Sequence, residues 1–304
     1  MSMATGPVDC GVSPHPILFR HRPSTPLEWR FMNTGNKPVA LVTGASSGMG
    51  KDFALRLIEE GYLVYGAARR IERMDDIRTA GGNVLRLDVT DDASMVDAIE
   101  RIVREQGQID VLINNAGYGQ CGALEDVPVA EGRRQMEVNL FGAARLTQLC
   151  LPHMRSRRFG RIFNISSIGG KFSLPLSGWY HASKFALEAY SDALRNEVRQ
   201  FGIDVVVIEP GGVESEWSGI ATMEAERYSG QGAYADMAEK FRKLQAGLHR
   251  LPPPSVISNL IVKALKAKRP KTRYHAGLMA GSMLFLRRHL SDRMFDRLIA
   301  IAMC

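Results

Sequence analysis

The chain has few cysteines and no cysteine pattern. Its four cysteines, Cys10, Cys121, Cys150 and Cys304, stand far apart in 304 residues and include no Cys-x-x-Cys pair. This spacing offers no disulfide framework of the kind that small secreted proteins use. We therefore expect reduced thiols and a cytoplasmic location, and we predict no metal site.

Long apolar runs are missing as well. The longest, at about residues 276–286, is too short to span a bilayer and includes a serine and two glycines. Residues 1–37 lack the apolar segment of a secretory signal and hold five of the fourteen prolines. We expect this leader to be disordered. It is poor in acidic residues and contains several arginines and histidines, so a transit peptide is an alternative to an upstream extension preceding Met32.

Neither sign of charge dominates the composition. Lys and Arg number 39 against 32 Asp and Glu, for a formal net charge of +7. The basic residues are dispersed apart from clusters at 155–161, 266–273 and 287–293, which we interpret as solvated surface. No nucleic-acid-binding motif accompanies them, so we predict no nucleic-acid partner.

Short apolar runs alternate along the chain with stretches of helical period. Runs with the apolar character of buried parallel strands lie at 38–43, 63–67, 84–87, 109–113, 161–165 and 203–208, with a short final candidate at 272–275. A strand–helix alternation repeated six times predicts an α/β fold, a doubly wound parallel sheet of the Rossmann type. We predict a single domain at 38–275 and one basic amphipathic C-terminal helix within 276–304.

A glycine-rich turn lies between the first strand and the first helix, from Gly44 to Gly50. Glycines allow a tight turn and let the backbone approach phosphate oxygens closely. The helix N-terminus behind them supplies unpaired N–H groups and the positive end of a dipole. Because the turn is flanked by a strand and a helix, it predicts a dinucleotide site.

The end of the second strand indicates which dinucleotide binds. NAD sites generally have an acidic residue there for the ribose 2′-hydroxyl, but this sequence has Ala68, Arg69 and Arg70. An arginine pairs with a 2′-phosphate, so the sequence favours NADP(H) over NAD(H), with Arg69 as the contact. The alternative is that both arginines are solvated charges at a helix start. Asp88, after the third strand, is a candidate acceptor for the adenine amino group.

Tyr180 and Lys184 are candidate catalytic residues. They are four positions apart on a predicted helix, so their side chains share one face. A phenol is a poor acid or base at neutral pH unless a cation stabilises its phenolate, and a lysine one turn away supplies that cation. A serine where the fifth strand ends, Ser166 or Ser167, could orient a substrate oxygen. Asn139 is a polar residue in an otherwise apolar helix, either solvent-facing or holding a water near the site.

Together these motifs resemble the classical short-chain dehydrogenase/reductase family. The likeness covers about residues 38–275 and rests on Thr43-Gly44-x-x-x-Gly48-x-Gly50, Asn114-Asn115-Ala116-Gly117, the tetrad Asn139, Ser167, Tyr180 and Lys184, and Pro210-Gly211. Ser167 fits better than Ser166 because it lies 13 positions before Tyr180. Residues 180–188 look most like the subgroup related to 17β-hydroxysteroid and retinol dehydrogenases. Ser215 departs from the common threonine but keeps the hydroxyl.

The resemblance implies an NADP(H)-dependent oxidoreductase that interconverts a carbonyl and an alcohol on a hydrophobic substrate, such as a steroid, a retinoid, or a fatty aldehyde or ketone. Tyr180 would exchange a proton with the substrate oxygen, and Lys184 would lower its pKa. Ser167 would bind the reacting oxygen, and Asn139 would support a water. The implied cofactor-binding residues are Thr43, Gly44, Ser46, Ser47, Gly48, Met49, Gly50, Arg69, Asp88, Val89, Asn115, Ala116, Gly117, Tyr180, Lys184, Pro210, Gly211, Val213 and Ser215.

Further expectations concern the surroundings of the site. Residues 215–250 would form a mobile lid that sets substrate specificity. The resemblance implies a homodimer or homotetramer that assembles through the helices containing 126–157 and 179–201. The C-terminal helix would cover the domain's cleft or meet a partner subunit, with peripheral contact to a membrane as the alternative. Two other functions stay open, an NAD-dependent alcohol dehydrogenase of the same fold and a non-catalytic NADP-sensing protein.

Overall fold

A computed structural model of the chain describes residues 37–247 and 250–303. Within these ranges one sheet of seven parallel strands forms the centre, in the order β3-β2-β1-β4-β5-β6-β7. The strands are β1 (Val39–Thr43), β2 (Leu63–Ala68), β3 (Asn83–Arg86), β4 (Val111–Asn114), β5 (Gly160–Ile165), β6 (Ile203–Pro210) and β7 (Arg273–Ala276). The strand order reverses between β1 and β4, where a doubly wound sheet leaves a crevice for a ligand.

Helices cover both faces of the sheet. They are α1 (Gly48–Glu59), α2 (Asp75–Thr79), α3 (Asp92–Gln106), α4 (Val129–Met136), α5 (Gly142–Ser156), α6 (Gly178–Val198), α7 (Trp217–Ser229), α8 (Ala235–Ala246), α9 (Ser255–Lys266), α10 (Ala280–His289) and α11 (Asp292–Met303). Helices α1 and α9 pack on one face, and α3, α5 and α6 pack on the other. The α/β Rossmann-type fold expected from the sequence is confirmed.

The apolar runs became strands because the sheet is buried on both faces. All five residues of β1 and all six of β5 are buried. A strand covered by helices on both sides excludes water from every side chain, so its sequence needs no polar alternation. The same burial explains why the strands were legible as continuous apolar runs.

Polar side chains join the strands where these runs end. The Asn114 amide on β4 donates to Asn164 Oδ1 on β5 at 2.9 Å and to Thr147 Oγ1 on α5 at 3.2 Å. Asn164 in turn donates to Ser191 Oγ on α6 at 2.8 Å. Buried amides are stable only when such partners are present. This network fixes α5 and α6 against the carboxyl ends of β4 and β5, beside the crevice.

The C-terminal region differs from the expectation of a single helix. The structure has two helices, α10 and α11, separated at Leu290 and Ser291. Leu290 leaves the helical conformation, and the Ser291 carbonyl accepts from the Met294 and Phe295 N–H groups to begin the next helix. The break lets Met283 and Phe295 enter one apolar cluster with Phe241 of α8 and Phe172. Two helices that each pack against the domain therefore stand where the sequence predicted one continuous amphipathic helix.

The leader predicted to be disordered lies outside the described residues, apart from Lys37. None of the helices in the described part of the chain is both long enough and apolar enough to cross a bilayer.

Candidate active site

The glycine-rich turn forms one wall of a cavity of about 480 Å³ beyond the carboxyl ends of β1 and β2. Gly44 has φ +67°, and a Cβ on Gly50 would stand 2.3 Å from the Gly44 carbonyl oxygen. Helix α1 begins at the cavity with no acidic residue in its first turn and no side chain capping its N-terminus. Its free N–H groups and dipole therefore offer binding to an anion such as a pyrophosphate.

Thr43 and Asn115 hold this turn in place. The Thr43 hydroxyl donates to the Ile113 carbonyl at 3.2 Å and accepts from the Asn115 and Ala116 N–H groups, each at 3.0 Å. The Asn115 amide donates to the Thr43 carbonyl at 2.9 Å. These bonds fasten the end of β1 to the end of β4. Thr43 is placed behind the cavity wall, so its part is to brace the turn.

A cluster of arginines closes the far end of the cavity, beyond β2. Arg69 and Arg70 both line it. The Arg70 guanidinium contacts Ser46 Oγ at 3.4 Å and Ser47 Oγ at 3.2 Å. Arg73, one turn further, shares the Glu216 carboxylate with Arg70. Arg70 was not chosen from the sequence, although it is the arginine that bonds to the glycine-rich turn.

Tyr180, Ser167 and Lys184 lie at the other end of the crevice. Ser167 lies two residues after β5, at the start of a short turn, and its hydrogen bond to the Tyr180 hydroxyl acts to lower the pKa of that phenol. Ser167 also accepts from the Gly169 N–H at 3.0 Å, which orients its hydroxyl. The buried Lys184 ammonium donates to the Ile165 carbonyl at 2.8 Å and lies 5.9 Å from the centre of the Tyr180 ring. A phenol, a hydroxyl and an ammonium thus converge.

Burial controls the protonation of this group. It raises the pKa of Tyr180 to about 12, opposed by the Ser167 hydrogen bond, and it lowers the pKa of Lys184 to about 8. We expected Lys184 to lower the pKa of Tyr180. Desolvation acts in the opposite direction and raises this pKa, because it disfavours the phenolate. At neutral pH the phenol is therefore protonated and the lysine mostly charged. This is the state of a proton donor with a cation beside it.

Asn139 lies in a π-helical turn, Glu137–Phe141, between α4 and α5. The turn carries its side chain inward, where it is 2% exposed. Its amide donates to the Tyr118 carbonyl at 3.0 Å and to Ser183 Oγ at 3.0 Å, and its Oδ1 accepts from the Tyr118 N–H at 3.1 Å. Single π-turns inside helices are frequent at functional sites. The solvent-facing alternative for Asn139 is therefore wrong.

A second cavity, of about 460 Å³, opens at Tyr180 and Ser167. It adjoins the first, because Met49, Ser215 and Trp217 line both. Its other walls come mainly from apolar residues on the loop between β5 and α6, on α8, α10 and α11, and on the loops beside these three helices: Phe172, Leu174, Phe241, Leu244, Leu251, Leu278, Met279, Met283, Leu286, Leu298 and Ile299. Among the described residues, no Asp, Glu, Lys or Arg lines this cavity. His181 also lines it, and burial lowers the pKa of its imidazole.

Most of the cofactor-binding residues expected from the sequence line the first cavity: Gly44, Ser46, Ser47, Gly48, Met49, Gly50, Arg69, Asp88, Val89, Asn115, Ala116, Gly117 and Ser215. Tyr180, Pro210, Gly211 and Val213 line the second. Tyr118, Arg134, Glu216 and Trp217 also line the first cavity but were not expected. No local pattern distinguishes them. They reach the cavity from the loop after β4, from α4 and from the start of α7, whose positions depend on the whole fold.

The family model for short chain dehydrogenase matches residues 38–224. The chain belongs to the short-chain dehydrogenase/reductase family. It is therefore an oxidoreductase, an enzyme of a family whose solved structures include complexes with NADP.

Several curated family members are similar over most of this chain. A 3-ketodihydrosphingosine reductase of Bacteroides thetaiotaomicron is 40% identical, covering 79% of this chain and 87% of its own. An NADPH-dependent 3-dehydrocapnine reductase of Ornithobacterium rhinotracheale is 33% identical, covering 85% and 95%. Retinol dehydrogenase 8 of Bos taurus is 32% identical, covering 77% and 79%. The likeness to retinol dehydrogenases expected from residues 180–188 agrees with the last of these.

Solved structures of the family share the architecture. A short-chain dehydrogenase from Streptomyces avermitilis superposes with a TM-score of 0.73 at 34% identity, covering 87% of this chain and 95% of its own. A metagenomic short-chain oxidoreductase in complex with NADP superposes with a TM-score of 0.62 at 25% identity, covering 79% and 96%.

The residues present in this short-chain dehydrogenase fit a nicotinamide dinucleotide. A side chain at Gly44 or Gly50 would fill the turn, and the α1 N-terminus faces the cavity. Arginines line the end of the cavity where the adenosine ribose of the cofactor would lie. Asp88 lies at the same rim. Burial raises its pKa, but hydrogen bonds from Thr90 and the charge of Arg69 outweigh this and lower it, so Asp88 is ionised and able to accept.

Proposed function

We propose that this enzyme reduces a ketone or aldehyde group on a long apolar molecule, with NADPH as the hydride donor. The observation that carries the proposal is the position of Tyr180 and Ser167 in an apolar cavity that adjoins the cofactor cavity. A hydrophobic pocket with few convergent polar groups is typical of small-molecule sites. Here those polar groups are a proton donor and its hydrogen-bond partner.

The proposed roles follow from the contacts. When the cofactor is bound, its nicotinamide supplies the hydride that adds to the carbonyl carbon. Tyr180 donates its proton to the carbonyl oxygen, so the product gains one C–H and one O–H bond. Ser167 donates to the same oxygen and keeps it beside the phenol. Lys184 places a positive charge near the Tyr180 ring, which stabilises the phenolate that remains.

The arginines support NADP(H) rather than NAD(H). Arg69, Arg70 and Arg73 cluster at the rim where a ribose 2′-phosphate would lie, and the strand end there carries no acidic side chain. Charge-assisted hydrogen bonds to a phosphate are among the strongest polar contacts that proteins make. The name of the Ornithobacterium rhinotracheale reductase, which specifies NADPH, agrees with this choice.

The substrate class follows from the cavity and the relatives. The names of two relatives specify reduction of a 3-keto or 3-dehydro compound, dihydrosphingosine or capnine, and a third names retinol. The cavity without charged walls suits an apolar chain or ring system better than an anionic metabolite. A fatty ketone is therefore the first substrate to test, and a retinoid or steroid carbonyl the second.

We predict that, with 3-ketodihydrosphingosine as the substrate, the purified protein oxidises NADPH faster than it oxidises NADH. The expected preference in kcat/KM is about 10- to 100-fold, the value of one or two charged hydrogen bonds. Absorbance of the reduced cofactor measures both rates, with retinal and a steroid ketone as parallel substrates. Equal rates with NADH would support the NAD-dependent alternative. Tight NADPH binding without turnover of any carbonyl would support the sensing alternative.

We also propose that α11 contacts an anionic phospholipid surface. Met294 and Ile301 are 55% and 85% exposed and lie seven residues apart, so they share a face. Arg293 and Arg297 are exposed on the same side of the helix. Leu298, next along the helix, lines the substrate cavity, which puts an apolar cavity next to this surface. Basic and apolar side chains together are what membrane-surface helices present.

We expect the protein to sediment with vesicles of phosphatidylcholine and phosphatidylglycerol, and to be released by high salt because screening weakens the contact. Replacing Arg293 and Arg297 together by Ala should lower the binding constant at least about tenfold, at roughly 1 kcal/mol per basic residue. Arg101→Ala with Arg104→Ala on α3 is the matched control. Equal losses in both pairs, or equal binding to neutral vesicles, would exclude this surface.

Three further expectations stay predictions. Val129, Phe141 and Phe185 are exposed apolar residues on the helices expected to form a homodimer or homotetramer, which supports such an assembly. Cys121 and Cys150 are free and buried, which supports a reducing, cytoplasmic compartment. The segment 215–250 as a specificity lid is likewise a proposal, supported by Trp217, Phe241 and other residues that it contributes to the cavity wall.

A further inference from the structure

We propose that Glu216 competes with the cofactor's 2′-phosphate for Arg70 and Arg73, and so sets the affinity and selectivity for NADP(H). This inference rests on the proposed NADP(H) preference. It concerns an acidic residue that follows β6, far in sequence from the arginines that follow β2.

The contacts of the Glu216 carboxylate resemble those that a phosphate makes. One oxygen accepts from Arg70 Nη2 at 3.1 Å and from Ser47 Oγ at 3.2 Å. The other accepts from Arg73 Nη1 at 2.9 Å. Two guanidinium groups and a hydroxyl of the glycine-rich turn thus converge on one anionic group. These are the donor types that bind phosphate oxygens in proteins.

The Glu216 carboxylate lies at the rim of the first cavity, where we propose that the cofactor binds. Glu216, Arg70 and Ser47 all line that cavity, whereas Arg73 approaches from outside it. The pKa of Glu216 is held below its usual range, first by the Arg70 hydrogen bond, so the carboxylate is charged at neutral pH. Two anions cannot share the same arginine donors without repulsion. A bound 2′-phosphate must therefore displace the carboxylate.

NAD(H) carries a hydroxyl at this position and does not need these donors. Glu216 would then remain paired with the arginines while NAD(H) binds. Removal of its charge is consequently expected to strengthen NADP(H) binding and to leave NAD(H) binding unchanged. The side chains of Arg70, Arg73 and Glu216 are 44%, 50% and 46% exposed, so solvent weakens the competition and the effect is moderate.

The test is titration calorimetry of the full chain with adenosine 2′,5′-bisphosphate and with 5′-ADP, and fluorescence titration with NADPH and NADH. Glu216→Gln should lower the Kd for the bisphosphate and for NADPH by about 3- to 10-fold, the range expected for two exposed ion pairs. The affinity for 5′-ADP and NADH should change less than about 2-fold. Glu214→Gln, an exposed acid two positions earlier, is the matched control and should change neither.

Arg70→Ala separates this inference from the proposed cofactor preference. If the wild type prefers NADPH and Arg70→Ala removes that preference, the preference stands whatever Glu216 does. Unchanged or weaker bisphosphate binding in Glu216→Gln would then overturn the competition alone. Equal tightening for 5′-ADP would also overturn it, because the effect would not depend on the 2′-phosphate. A wild type without any NADPH preference would instead overturn the cofactor proposal.

Discussion

Replacing Tyr180 by phenylalanine is expected to lower kcat about 10²- to 10⁴-fold, the usual contribution of a general acid. The change removes one hydroxyl from a half-buried ring and leaves its packing against Trp217, whose ring centre is 5.3 Å away, unchanged. Binding of NADPH should therefore stay within about 3-fold of the wild type, since Tyr180 lines the second cavity and not the first. Steady-state kinetics and fluorescence titration measure the two quantities.

Tyr190→Phe is the matched control for this prediction. Tyr190 lies on the same helix, α6, and packs in the core on the other side of the sheet from α1. It lines neither cavity, so its loss should leave kcat within about 2-fold and act on stability alone. A Tyr180→Phe enzyme that kept more than a tenth of the wild-type kcat would show that another group donates the proton.

The second large effect is expected at Arg161, which is 1% exposed. Its guanidinium lies at the end of α9 and donates to the Ala264 carbonyl, to the Leu265 carbonyl at 3.1 Å and to the Ala267 carbonyl at 2.7 Å. The last carbonyls of a helix have no partner within the helix. Arg161 therefore caps α9 from the neighbouring strand β5 and ties it to the sheet.

We expect Arg161→Met to lower the free energy of unfolding by about 3–5 kcal/mol, because two buried carbonyls and one partly buried carbonyl lose a charged donor at once. Urea denaturation followed by circular dichroism measures the midpoint of unfolding. An unchanged dependence of the free energy of unfolding on urea would show that the wild type and the variant expose the same surface when they unfold. Arg161→Lys keeps the charge without the planar fork and should lose less. Arg104→Met, an exposed arginine on α3, should change stability by less than about 0.5 kcal/mol. A loss below about 1 kcal/mol for Arg161→Met would contradict the capping role.

Arg161 also departs from the expectation that the basic clusters are solvated. It belongs to the basic cluster 155–161, which we interpreted as solvated surface. The other members follow that rule in part, but Arg161 occupies the second position of a strand whose residues are all buried. A strand buried on both faces takes every side chain inside, charged ones included. The partner that makes this tolerable, the end of α9, lies about a hundred positions away in the chain.

The C-terminal helices show the same limit. Their apolar residues were legible as one amphipathic stripe, and such a stripe does not say what it will cover. In the structure Met283, Leu286, Leu298 and Ile299 line the second, apolar cavity. The break at Leu290 and Ser291 was not predicted either, because it is set by packing against α8 and the turn after β5.

The sequence by itself determined the fold class, the family and the placement of the glycine-rich turn. These depend on local patterns: apolar runs of strand length, helical periodicity and glycines between a strand and a helix. The tertiary structure decided which residues meet. Ser47 joins Arg70 and Glu216, Trp217 lies against Tyr180, and Arg161 caps α9, through contacts between residues 23 to 169 positions apart. Such contacts follow from how the strands and loops are arranged in space, and a local sequence pattern does not record that arrangement.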